Sequence, residues 1–148
     1  MVFRIALFTG IVCIFSAPLI VTAQETDISS QYQIIANSTG LTEMTLMELK
    51  QSFRGKYYSW DSKIDVIIVL PSSKHKNAEN ISKDIYGKSF YGVKKFWLSL
   101  VFQGRFNAPQ FFDSDKEIAE FVAKNQGAIG LVSKKTNVVK QLVINLKK

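Results

Sequence analysis

Residues 64–70 are a nearly unbroken apolar run rich in β-branched side chains, bounded by Pro71. That pattern predicts a strand covered on both faces, with the proline as its stop. Residues 32–36 predict a second, shorter strand, closed by the loop Asn37-Ser38-Thr39-Gly40. The pattern changes to a helical period at Thr45, where Glu48 three residues on completes a capping box and Leu46, Leu49 and Phe53 share one face. A short helix over 77–86 turns Ile81 and Ile85 inward and ends at Gly87. Val93, Phe96, Trp97, Leu100 and Val101 then follow the i, i+3, i+4, i+7, i+8 stripe of a core-facing helix, with Gly104 just past its end. Ser114 and Glu117 make a second capping box, opening a helix with Ile118, Phe121 and Val122 on one side.

The stretch "NQGAIGLV", residues 125–132, joins that last helix to a strand. Gly127 is expected at the C′ position in the left-handed region, closing the helix. Residues 128–132 are expected to be buried, with Gly130 letting another element approach closely. A final, partly alternating strand is predicted over 138–145. Val93, Phe96, Trp97, Leu100, Phe121, Val122, Ile67 and Ile129 are expected to share one core. Strands separated by helices, without internal repeats, predict an α/β domain with a mixed or mostly parallel sheet flanked by helices.

The N-terminus reads as an address. Arg4 is followed by the apolar residues 5–21 and the small-residue site Val21-Thr22-Ala23, the layout of a secretory signal peptide cleaved after Ala23. An uncleaved anchor is the alternative, since the run is at the short limit for a span. Cleavage leaves residues 24–148 as one domain in the periplasm, with no further membrane span. It also removes Cys13, the one cysteine, so disulfides and thiol chemistry are not expected of the mature part.

Charge and side-chain inventory narrow the chemistry. The chain carries a formal +7, which favours anionic partners or simply describes a lysine-rich surface. No catalytic group is indicated: His75, the one histidine, lies between two lysines in a polar loop and reads as solvated. No metal site is indicated either, for want of paired histidines or a mature cysteine, and no cofactor motif appears. Asp113, Asp115 and Glu117 suit the positive end of a helix. Arg54, Lys56, Tyr57, Tyr58 and Trp60 interleave bases and aromatics, but export argues against a nucleic-acid partner. Arg54 and Lys56 read instead as a surface flank.

Several motifs occur in a recognisable order: Phe53-Arg54-Gly55-Lys56 with Trp60, Tyr86-Gly87-Lys88-Ser89, Trp97, Phe102-Gln103-Gly104, Pro109, and Gly127-Ala128-Ile129-Gly130 with Val132. Over residues 41–132 the chain resembles the substrate-binding proteins of phosphate importers, in particular their short, single-domain exported relatives. The resemblance implies a type 2 periplasmic binding protein fold reduced to one lobe, and a function in oxyanion capture. It also marks a departure. Where the family carries a loop resembling Arg-Ser-Asp-Gly-Ser-Gly-Thr-Thr, this chain has Pro71-Ser72-Ser73-Lys74-His75-Lys76-Asn77.

Ser38 and Thr39 follow the first strand, and Ser72, Ser73 and Lys74 the next. In a parallel arrangement both loops would meet at the carboxyl edge of the sheet, where hydroxyls, backbone donors and an ammonium suit phosphate or sulfate. The alternative is that these are ordinary turn and cap residues. Two functions are therefore expected to compete: a non-enzymatic solute-binding-like protein taking up phosphate or a similar oxyanion weakly, and an interaction module that has kept the fold, lost the ligand and contacts an envelope protein.

Overall fold

The computed structural model describes residues 27–147; the signal-peptide reading of residues 1–23 and the start of the domain at Gln24 lie outside the described residues. A single turn, α1 (Ile28–Gln31), leads into β1 (Tyr32–Ala36), followed by β2 (Glu43–Thr45), α2 (Leu46–Phe53) and β3 (Ile67–Pro71). Next come α3 (Ala78–Ile81), which runs on as a π-helical turn through Ser82–Tyr86, then α4 (Phe90–Phe102) and β4 (Gln110–Phe112). The chain continues through α5 (Asp115–Lys124), β5 (Ala128–Ser133), a 3-10 turn at Lys140–Leu142 and β6 (Val143–Lys147).

The helices start where their caps dictate. Thr45 and Ser114 each accept the backbone N–H three residues on, while Glu48 and Glu117 reach back to the cap residue's N–H. Ser89 caps α4 by accepting from Gly92 N–H at 3.2 Å. Gly87, at φ 65°, ends the π turn in the left-handed region.

The strands form one sheet in the order β2-β6-β1-β5-β3-β4. β3 is parallel to both β4 and β5, and β2 is parallel to β6, whereas β1 is antiparallel to β5 and β6. Five strands thus point one way and the central β1 points the other.

Alternation along the inner strands sends side chains to two faces. Ile34, Ala36, Ile68, Leu70, Ile129 and Leu131 face one cluster, which takes in Leu49 and Phe53 of α2, Ile81 and Ile85, and Val93, Trp97 and Leu100 of α4. Ile35, Val69, Ala128 and Val132 face the other cluster, covered by Ile118 and Val122 of α5. The eight residues expected to form one core are therefore divided by the sheet: Val122, Phe121 and Ile67 pack on the α5 side, and Val93, Phe96, Trp97, Leu100 and Ile129 on the other.

Three boundaries differ from the sequence reading. β3 starts at Ile67 and not at 64, because Asp65 pairs with Ser59 in an isolated bridge and Trp60 N–H binds Ile64 O at 2.9 Å. Pro71 does not stop β3 but is its last residue, paired with Phe112. The final strand spans Val143–Lys147, because residues 140–142 are wound into a 3-10 turn.

Gly127 has a positive φ of 81°, but it does not cap α5. Asn125 ends that helix, its N–H on Val122 O and its side-chain amide donating to Phe121 O at 2.7 Å. Gly127 instead joins three segments. Its N–H donates to Asn37 O at 2.7 Å, and its carbonyl accepts from Ile67 N–H at 3.0 Å and from the buried Trp60 Nε1–H at 2.8 Å.

Candidate functional site

The parallel pair β3–β4 delivers two loops to one edge of the sheet. After Pro71 come Ser72, Ser73 and Lys74; after Phe112 come Asp113, Ser114 and Asp115 at the start of α5. Ser72 N–H binds Phe112 O at 2.7 Å, tying the loops together at their roots. Ser72 Oγ donates to Asp113 Oδ1, Lys74 Nζ lies 3.6 Å from Asp113 Oδ2, and Lys74 N–H donates to Ser72 Oγ at 3.2 Å. The Ser72 hydrogen bond, with Lys74 adding its charge, holds the Asp113 carboxyl below the usual carboxylate range. Asp113 is therefore an ionised acceptor at neutral pH.

An open cleft of about 430 Å³ lies over this edge, lined by Lys74, His75, Lys76, Asp113, Ser114, Asp115 and Lys116. Three ammonium groups around two carboxylates give it a net positive rim. Asp113 and Lys116 were missed as lining residues by the sequence reading, since only the β3–β4 pairing brings the second loop beside the first; Lys76, in the first loop, was passed over as a flank of His75. A short β4 of three residues leaves no periodic signal to find it by.

His75 is not solvated, contrary to expectation. It is 5 % exposed, and both ring nitrogens are engaged. Nδ1 accepts from Asn77 N–H at 3.1 Å, which leaves the proton on Nε2, 3.1 Å from Asp115 Oδ1. Its backbone is held as well, with His75 N–H on Ser72 O and Ala78 N–H on His75 O, both at 3.0 Å. The histidine pins the loop to the start of α5 and has no free nitrogen for proton transfer.

Ser38 and Thr39 are not brought to this edge. Because β1 runs against β3 and β5, its carboxyl end lies beside the start of β5, where Asn37 N–H meets Ala128 O at 3.0 Å. The parallel arrangement that would have joined the two loops is absent. Thr39 is buried, and its hydroxyl accepts from Leu41 N–H at 3.3 Å; Ser38, at φ 56°, bonds Asn37 Oδ1 at 2.9 Å. Both behave as turn residues. Arg54 and Lys56 also have local partners: Arg54 donates to Ile85 O at 2.8 Å through Nη2, and Lys56 Nζ donates to Gln51 Oε1 at 2.9 Å.

A second hollow of about 220 Å³ has Glu43, Glu48 and Asp61 in its lining, with Met44, Tyr57 and Trp60. Its carboxylates give it the wrong sign for an anion. No helix among the described residues is long and apolar enough to cross a membrane.

Neither a protein-family model nor a curated protein matches the sequence. Solved structures do. An ABC-type phosphate transport receptor from Vibrio cholerae superimposes with a TM-score of 0.57 at 14% identity over 80% of this chain and 47% of that one. A protein from Clostridium perfringens, described as a phosphate ABC transporter substrate-binding protein with bound phosphate, gives 0.55 at 16% identity, over 79% of this chain and 45% of that one. PstS from Borrelia burgdorferi gives 0.56 at 13% identity, again over 80% and 47%. The chain spans less than half the length of each, and at these identities the likeness is one of fold: this is the α/β fold of the phosphate transporters' substrate-binding proteins, over the extent of about one lobe.

Proposed function

We propose that residues 24–148 form an exported, non-catalytic solute-binding-like domain of the periplasm that binds a protonated oxyanion, hydrogen phosphate above all, weakly at the Ser72–Lys74 edge. The observation that carries this reading is the convergence of Ser72 and Lys74 on the ionised Asp113, beneath a cleft rimmed by Lys76 and Lys116. Ammonium groups and hydroxyls supply what an oxyanion accepts from, and Asp113 supplies an acceptor for the ligand's own proton. Sulfate has no such proton at neutral pH and would meet Asp113 as an unrelieved like charge. The engaged nitrogens of His75 support the non-catalytic part of the reading.

Affinity is limited by geometry. Lys74 is 81% and Asp113 51% exposed along their side chains, so water competes for every contact and salt screens the charges. Asp113 must also share donors it already holds. Calorimetric titration is expected to give a phosphate dissociation constant of roughly 1 mM or weaker, with sulfate weaker still. Combined Ser72→Ala and Ser73→Ala should remove the signal while the domain stays folded, since the loss of the Ser72–Asp113 bond at a half-exposed loop costs about 1 kcal/mol. A micromolar constant in a demonstrated monomer would overturn the open-site argument. The absence of any phosphate-dependent heat would leave the second reading, an envelope interaction module without ligand.

A further inference from the structure

Helix α4 shows apolar side chains on both sides. At about 100° per residue, its buried stripe of Val93, Trp97 and Leu100 lies opposite Tyr91, Lys95, Leu98 and Phe102, which fall together on the outer face. Tyr91 is 66%, Leu98 55% and Phe102 82% exposed. A surface helix ordinarily presents polar groups on that side, so a line of tyrosine, leucine and phenylalanine there calls for an occupant.

Charge says what kind. Residues 85–112 contain Lys88, Lys94, Lys95 and Arg105 and no aspartate or glutamate. All four cations are exposed. Lys95 Nζ lies 4.8 Å from the centroid of the Tyr91 ring, so charge and aromatic surface are presented as one unit. Glu79, at the helix start, accepts from Phe90 N–H at 2.9 Å and pairs with Lys83 at 3.6 Å, which neutralises it locally. An acidic protein groove would answer the charges, but the outer stripe lies along one helix with its cations flanking it on the exposed surface. That is the layout of a helix lying in the plane of a bilayer interface, with apolar groups among the acyl chains and lysines at the head groups.

We infer that the outer face of α4, through Tyr91, Leu98 and Phe102 with Lys94 and Lys95, docks on an anionic lipid bilayer. This surface is separate from the oxyanion cleft and does not depend on it. The docked domain lies on the membrane by one helix face and is released by salt.

The test places a nitroxide at position 98 through Leu98→Cys in the full chain, with Cys13→Ser removing the other thiol. The label is followed by electron paramagnetic resonance with oxygen and a water-soluble relaxant. With vesicles of phosphatidylglycerol mixed into phosphatidylcholine, the label is expected to become accessible to oxygen and shielded from the relaxant; with phosphatidylcholine alone it should stay in water. Lys94→Glu with Lys95→Glu should lower partitioning onto the anionic vesicles by at least about tenfold, since each lysine lost near such a surface is worth about fivefold. The apolar residues 5–21, where present, can hold the chain on either vesicle but cannot bury position 98 selectively. A label that stays water-exposed on anionic vesicles overturns the inference. So does spin–spin broadening in the absence of lipid, which would assign this face to a second copy of the chain.

Discussion

Replacing Gly127 by alanine tests the junction on which three segments meet. A Cβ built there would stand 2.0 Å from the carbonyl oxygen of Asp65 and 2.9 Å from Ile64 Cγ2. The first contact is with backbone, so no rotamer change relieves it. The φ of 81° adds the left-handed penalty of roughly 1 kcal/mol for a residue with a Cβ. Moving the 127 peptide away from Asp65 would strain the bonds to Asn37 O, Ile67 N–H and the buried Trp60 Nε1–H, and a buried donor left unpaired costs about 1–3 kcal/mol. The total expected is about 2–4 kcal/mol, and Gly127→Val should cost more. Gly87→Ala is the internal reference: its φ is 65°, but no atom lies within 4 Å of the new Cβ, so it reports the backbone penalty alone. Urea unfolding followed by far-ultraviolet circular dichroism measures both. If Gly127→Ala costs no more than Gly87→Ala, the three-way junction is not what the glycine serves.

Tyr86→Phe is expected to cost roughly 2–4 kcal/mol in the same assay, because the buried hydroxyl donates to Phe53 O at 2.7 Å and accepts from Trp97 Nε1–H at 2.9 Å; an unchanged midpoint would show that both groups find other partners. Asp113 is held below its ordinary 3.8 chiefly by Ser72, so the stability it lends is present above that value and is lost as pH falls through the depressed one. Ser72→Ala should raise its carboxyl titration, read by carbon-13 shifts, and no movement would refute the assignment. His75→Ala should leave Asn77 N–H and Asp115 without their ring partner and speed amide exchange at Asn77 and Ala78; unchanged protection would mean that the ring does not hold this loop.

The elements with strong periodicity or paired caps were legible in the sequence. Thr45–Glu48 and Ser114–Glu117 fold as capping boxes, and β1 occupies the expected residues 32–36. What could not be read was direction. Nothing in Tyr32–Ala36 reveals that it will run antiparallel to β5, because a strand buried on both faces shows the same run of apolar residues in either sense. That one unknown sent Ser38 and Thr39 to the wrong edge. His75 was misread because its burial comes from Asp115, 40 residues away, and local polarity carries no trace of such a partner. The edge strands β2 and β4, three residues each, are too short for a period to register.

The central position of β1 also governs the order in which the chain can fold. Its first partner, β5, pairs Tyr32 with Ser133, and its second, β6, pairs Ile34 with Ile144. Among the described strands, the earliest in sequence therefore waits for the last two before any of its ladder bonds can form. Closing loops of that length precedes any gain from the contacts, which slows folding. A nascent chain that has not yet reached residue 128 has β3 and β4 to pair with each other but no centre for the sheet. The sheet gains its centre only when residues 128–147 are available to pair with β1.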